Sequence, residues 1–250
     1  MKRQYTGLVL MTAAIAGFGF QAARKPAGPV DPLIAGFRKT TVASVADAVD
    51  QVVGRRGFLS HDMRPRTLDG ARAAFVGRAK TAFMRPATAE QATPALSAKH
   101  SVAMIDEAQP GDVGVLVIEN GLDVAGLGGL MATAATARGV AGVIIDGGVR
   151  DVGEVRSLGL PVFARSVVPS SSVGRYATVD KDIPVECAGV RIAPGDLIVA
   201  GEDGVVAVPA AQAMEVLKKA QEIDERESKM VPLIKQLKAL TKAIERFNRI

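Results

Sequence analysis

The stretch from Asp112 to Val168 restricts the fold more than any other part of the chain. "DVGVLVIEN" (Asp112–Asn120) is apolar without alternation, the mark of a strand buried on both faces. "GLDVAGLGG" reads as a loop, and "LMATAATARG" (Leu130–Gly139) as a short helix, rich in alanine and stopped by glycine. "VAGVIIDGG" is a second buried strand, "DVGEVRSLG" a helix and "PVFARSVV" a third strand. Apolar strands joined by helical crossovers predict parallel pairing in a sheet covered by helices.

The flanks fill in around this unit. Residues 26–32 read as a Pro/Gly linker, so the domain is expected to begin near Leu33. "TTVASVADAVDQVV" (Thr40–Val53) has helical spacing, with Val42, Val45, Ala46 and Val49 on one face. Residues 54–70 read as loop. Ala73–Met84 reads as a strand pair or one long bent strand, Pro86–Ser97 as a loop and Ala98–Ala108 as a helix. Beyond Val168, "IPVECAGVRI", "DLIVAGEDG" and "VVAVP" are short runs with turn signals, expected to pair antiparallel. From Ala210 the pattern becomes helical, and Pro232 is expected to split it. The second piece carries an apolar seam of Leu233, Leu237, Leu240, Ile244 and Phe247. The fold class is therefore α/β: a layered domain over residues 33–209 with a βαβ unit and a β-rich second half, then a helical extension over 210–250.

Composition excludes several functions. At 48% hydrophobic and 4% aromatic, the core is built from aliphatic residues. One cysteine, Cys187, leaves no internal disulfide, and two histidines, His61 and His100, argue against a multi-histidine zinc site. The net charge of +5 owes four positive charges to Lys2, Arg3, Arg24 and Lys25, in a segment with no acid. The rest is near neutral, unlike a protein that binds a phosphate backbone, so no nucleic-acid partner is expected. Residues 1–25 have the order of an export signal, Lys2-Arg3 followed by the apolar run Gly7–Phe20. Periplasmic export is the expectation. An uncleaved membrane anchor or a buried N-terminal helix is the alternative, and without a signal the protein would be cytoplasmic.

Two glycine-bearing turns carry the chemistry. Gly126, Gly128 and Gly129 precede a helix start, where free N–H groups favour an anion. Met131 stands where a dinucleotide fingerprint needs glycine, and no Gly-Lys-Ser/Thr occurs, so a small carboxylate is the better ligand. A tight turn or close packing is the structural alternative. Arg150-Asp151 follows the next strand, with Gly147-Gly148 expected to open a turn that gives access. Both turns then meet at one sheet edge, where ligands collect in open α/β folds. Arginine can grip a carboxylate through two parallel hydrogen bonds, and aspartate can hold a hard divalent cation. An ordinary surface ion pair, or Asp151 as the N-cap of the following helix, is the other reading.

"GGLMATAATARGVAGVIIDGGVRD" closely resembles the central motif of the family that contains 4-hydroxy-4-methyl-2-oxoglutarate aldolases and the regulator of ribonuclease E activity A. "IAPGDLIVAGEDGVVAVP" resembles its later β segment and "SVADAVD" its N-terminal helix, so the likeness runs from about Val42 to Glu227. The resemblance implies an α/β/β sandwich in homotrimers or homohexamers. It implies a lyase that uses Mg or Mn to cleave pyruvate-bearing 2-oxo acids or to decarboxylate oxaloacetate. The substrate-binding residues would be Gly128, Gly129, Leu130, Met131 and Arg150, and the metal ligand Asp151. Glu227 would join Arg150 as a catalytic residue by reaching a neighbouring subunit's site. One departure is Gly129, where the family often has an acid that serves aldol cleavage. Decarboxylation, which needs no base at a hydroxyl, is expected to survive better. Glu119 or Asp123 could replace that acid, with surface solvation the alternative, and Lys99 or His100 could also join the site. The rival function is a non-catalytic regulatory role, as in the ribonuclease-regulating branch.

Overall fold

The computed structural model describes residues 31–247. The proposed export signal and residues 26–30 of the linker lie outside the described residues. Asp31 and Pro32 are not linker. The Asp31 side chain caps helix α1 (Pro32–Phe37) by accepting from Leu33 N at 2.9 Å, and proline suits the first helical turn. The same carboxylate pairs with Arg78 at 2.6 Å, and this arginine holds it below the usual carboxylate range.

Helix α2 (Val42–Val53) is capped by Thr41 and stopped by left-handed Gly54. A two-residue strand, β1 (Arg64–Pro65), interrupts the expected loop. Strand β2 (Phe75–Pro86) is one long strand with an irregularity at Phe83/Met84. Helix α3 (Pro94–Asp106) begins four residues earlier than expected, because Thr93 caps it and Pro94 presets its first turn. Strand β3 (Val113–Ile118) follows, and the expected loop after it contains a short strand, β4 (Ala125–Leu127). Helix α4 (Gly129–Arg138), strand β5 (Gly142–Val149), helix α5 (Val152–Leu158) and strand β6 (Val162–Val167) complete the crossover unit. Then come β7 (Tyr176–Lys181), the hairpin of β8 (Val185–Cys187) and β9 (Val190–Ile192), and the pair β10 (Leu197–Gly201) and β11 (Gly204–Val208).

Nine of these strands form one sheet with the path β1-β6-β5-β3-β2-β10-β11; β4 pairs with β5 and β7 with β2. β3, β5 and β6 run parallel, as their apolar runs predict, and β2 extends the parallel set beside β3. The sheet curls until its ends nearly meet. The segment leading into β1 is hydrogen-bonded to β11 through Leu59 N–Val205 O and Ala207 N–Gly57 O, so it links the two edges.

Three apolar layers result. Inside the curl, Val113, Val115, Ile144, Phe163 and Ile198 pack against Val185, Cys187 and Ile192 of the small hairpin. On the outer face, Leu116, Ile118, Val143 and Ile145 pack under α3, α4 and α5. On the β10–β11 side, Leu197, Val199 and Val206 meet α2 and the long helix α6 (Ala213–Leu237).

Pro232 does not split α6. It is exposed, so the carbonyl it leaves without a helical donor can be solvated. The helix ends instead at left-handed Lys238, and α7 (Thr241–Phe247) folds back on it, burying Met230 and Ala243. Leu237 and Leu240 of the expected seam remain exposed.

Helix α6 is fixed to α2 by a carboxylate. Asp224 accepts from Ser44 Oγ at 2.7 Å, Thr41 Oγ1 at 3.2 Å and Thr41 N at 3.3 Å, at the positive end of α2. Ser44 is buried. Asp224→Ala leaves its hydroxyl without this acceptor and is expected to destabilise the fold by about 1–3 kcal/mol. The check is a lower urea midpoint with an unchanged slope.

Candidate active site

Strands β4 and β5 lie side by side and parallel, and α4 and α5 start where they end. The chain therefore delivers two helix N-termini to one edge. The backbone of Arg150 is set by its N–H, which donates to Leu127 O at 3.1 Å at the end of β4. Asp151 follows with φ 54°, in the left-handed region. A helix N-cap ordinarily has extended backbone and a side chain turned onto its own helix. Asp151 occupies the N-cap position of α5 but makes no such bond. Its Oδ2 accepts from Gly129 N of α4 at 3.0 Å.

The two glycines at the start of α4 are there for space. A Cβ on Gly128 would stand 2.7 Å from Asp151 Oδ2 and 2.9 Å from Arg150 Nε. A Cβ on Gly129 would stand among the carboxyl atoms of Glu154, 2.5 Å from Oε1 and closer still to Oε2 and Cδ. Arg150 Nε lies 3.7 Å from Asp151 Oδ2, and these side chains are 41% and 43% exposed. Leu130, one residue into α4, is 89% exposed at the rim. The result is an open patch holding one guanidinium, two carboxylates and the first amides of α4. The Gly129 amide is committed to Asp151, so the Leu130 and Met131 amides are the ones left for a ligand.

Among the expected site residues, Gly128, Gly129, Leu130, Met131, Arg150 and Asp151 come together. Glu227 does not join them in one chain. It lies on α6, which packs on α1 and α2 across the third layer, whereas α4 and α5 cover the second. His100 packs toward β7, with its backbone N–H donating to Thr178 Oγ1 and its ring Nδ1 3.9 Å from Asp180. Lys99, Glu119 and Asp123 are exposed, and Glu154 is the acid that lies against Gly129. Gly147 and Gly148 do not open an access turn; both are buried within β5. A Cβ on Gly148 would stand 2.7 Å from Val124 O, so glycine there lets the β3–β4 connection pack closely.

Asp146 and Cys187 belong to the interior. Asp146 accepts from Arg165 Nη1 at 3.0 Å and Ala188 N at 2.6 Å. Burial works against the charge on Arg165, yet its bonds to Asp62 and Asp146 outweigh this and raise its pKa. Burial, with the nearby Asp146 charge, pushes the Cys187 thiol well up, so it is no thiolate nucleophile.

Residues 42–207 match the family described as RraA-like, Aldolase/RraA. A Halalkalibacterium halodurans protein named "Putative 4-hydroxy-4-methyl-2-oxoglutarate aldolase" is 36% identical over 115 residues, 46% of this chain and 54% of the relative. A Deinococcus radiodurans protein of the same name is 44% identical over 97 residues, 38% of this chain and 60% of the relative. The chain thus spans about half the length of the curated relatives it matches. Among solved structures, an uncharacterized Pseudomonas syringae pv. tomato protein superposes with a TM-score of 0.76 at 27% identity, covering 88% of this chain and 96% of the other. Streptomyces coelicolor RraAS2, described as an unusual member of the RNase ES inhibitor RraA protein family, gives 0.71 at 29% identity, covering 80% and 97%.

Proposed function

As a member of the RraA-like family, which joins aldolases and RraA proteins under one fold, this chain has a defined ancestry, and we propose that it is a divalent-metal-dependent carbon–carbon lyase. Its substrates are small 2-oxo acids that carry a pyruvate unit, cleaved by retro-aldol reaction or by decarboxylation. The observation that carries this reading is the packing of Arg150 and Asp151 against Gly128 and Gly129 at the start of α4.

The residues fit Mg or Mn. Asp151 is half-exposed and spends one oxygen on Gly129 N, and its Oδ1 has no partner among the described residues. No cluster of three or more His, Cys, Asp or Glu suited to a metal occurs among the described residues. A hard ion at Asp151 would therefore be held by one carboxylate, waters and substrate. When bound there, the ion would supply Lewis-acid polarisation of the keto group. The chain does the rest. The Leu130 and Met131 amides and the α4 dipole receive the substrate carboxylate. Arg150 stabilises the enolate charge that develops as the C–C bond breaks.

The family also supports a second reading, a binding protein without catalysis, because RraAS2 is described through RNase ES inhibition. The Arg150–Asp151 geometry at the start of α4 favours the lyase. A ribonuclease partner would be found by binding that survives loss of this pair. The assembly we propose is a homotrimer or homohexamer in which Glu227 completes a neighbour's site, and the location we propose is the periplasm.

Asp151→Ala is expected to abolish Mg- or Mn-dependent pyruvate release while the protein stays folded, and full activity with added Mg would remove the assignment. Arg150→Lys keeps charge but loses the planar fork, and kcat/KM should fall on the order of tenfold or more. Mixed Arg150→Ala and Glu227→Ala subunits, each inactive alone, should regain activity on exchange; no regain despite proven exchange would exclude a shared site. N-terminal sequencing of natively produced protein should start past about Ala23, and an intact Met1 would refute cleavage.

A further inference from the structure

We propose that Glu154 is the catalytic residue that exchanges protons with the substrate during C–C cleavage, a proposal that rests on the lyase reading above. The placement is specific. The Glu154 carboxyl group fills the space at Gly129 Cα that a side chain would otherwise take. The N–H of that same glycine holds Asp151, and the glycine before it lies against Arg150. Glu154 therefore shares one glycine pair with the groups assigned to metal and substrate. It lies three residues after Asp151, in the first turn of α5, and both residues therefore start from the same βα turn.

The three carboxylates of this region differ in what already engages them. Asp146 is bound by Arg165 and the Ala188 amide, and Asp151 is bound by the Gly129 amide. Glu154 is exposed, and no ion pair or hydrogen bond engages its carboxyl group among the described residues. It is the acid at this edge that can accept a proton without breaking an existing bond.

The chemistry balances without a co-reactant. In a 4-hydroxy-2-oxo acid, the Glu154 carboxylate takes the proton of the C4 hydroxyl. The O–H electron pair becomes the new C4=O bond as C3–C4 breaks, and the C3–C4 pair moves to C3 as the enolate of pyruvate. Protonated Glu154 then returns its proton to C3, which yields pyruvate and restores the carboxylate. Decarboxylation of oxaloacetate breaks C3–C4 with loss of carbon dioxide and has no hydroxyl proton to remove. Water can protonate C3 in that case.

The test is Glu154→Gln, which preserves size but cannot take the proton. Being exposed, the position is expected to tolerate it with an unchanged Tm. Removing a positioned base costs about 100-fold or more. Retro-aldol kcat with Mg should fall by that amount while KM changes little, and decarboxylation should fall less than about tenfold. Exchange of the pyruvate methyl protons with deuterium, read by NMR, should fall with the retro-aldol rate. The proposal is overturned if the variant keeps retro-aldol turnover near wild type. It is also overturned if both reactions fall in equal proportion, or if methyl exchange persists when cleavage is lost. A wild-type protein that decarboxylates oxaloacetate but cleaves no 4-hydroxy-2-oxo acid would keep the lyase reading and remove this role for Glu154. One that does neither with Mg or Mn would remove the lyase reading itself.

Discussion

The hydrogen bond from the Gly129 amide to the Asp151 carboxylate ties two successive βα turns together, and the arrangement of the site depends on it. Asp151 adopts a left-handed backbone to make this bond. Such a conformation costs a non-glycine residue of order 1–3 kcal/mol, although aspartate tolerates it better than most. A charge-assisted bond to a backbone N–H at a helix start offsets much of that cost. The constraint reaches outward in both directions. Gly128 and Gly129 have to lack side chains for the carboxylate to arrive. The turn of the chain at Asp151 also sets the rotation of α5, which brings Glu154 against Gly129.

The local charges suit the proposed ligands. Counted formally, Arg150 contributes one positive charge and Asp151 and Glu154 two negative ones. Without a cation the patch is net negative, a poor receptor for a dianionic 2-oxo acid despite the helix dipole. A divalent ion reverses the sign. Substrate affinity would then depend on metal more steeply than direct coordination alone requires, because the ion also neutralises the acids that repel the substrate. Arg150 beside Asp151 keeps the carboxylates from being a bare acidic cluster.

Much of this was legible in the sequence, for reasons that also explain what was not. β3 announces itself because both of its faces are buried, so it reads as an unbroken apolar run, and β5 and β6 do so through the shorter buried runs Val143–Ile145 and Val162–Ala164. The end of α4 is marked by left-handed Gly139. β4 escaped because three residues carry no period, and its pairing with β5 is a tertiary fact. Thr93-Pro94 was the available signal for the true start of α3. Pro232 misled because a proline penalty can be met by solvent on an exposed helix face. Arg150 and Asp151 could be placed from order along the chain. Glu154 could not, since its approach to Gly129 depends on the unusual backbone of Asp151. Its spacing of three from Asp151 was the one hint.

The two aspartates of the "DGGVRD" stretch illustrate how one strand separates structural from chemical charge. Asp146 is on the face of β5 that carries Ile144 into the curled sheet, and it is mostly buried, with a side chain 14% exposed. There a carboxylate survives only because Arg165 and the Ala188 amide satisfy it, and Arg165 is balanced in turn by Asp62. All of its charge is used inside the fold. Asp151 lies five residues on, past the strand's end, where the backbone turns and the side chain is half in water. It can keep one oxygen on a fixed amide and offer the other outward. The same residue type thus ties the interior together at one position and is left half in water at the proposed site at the other, and the strand's length decides which is which.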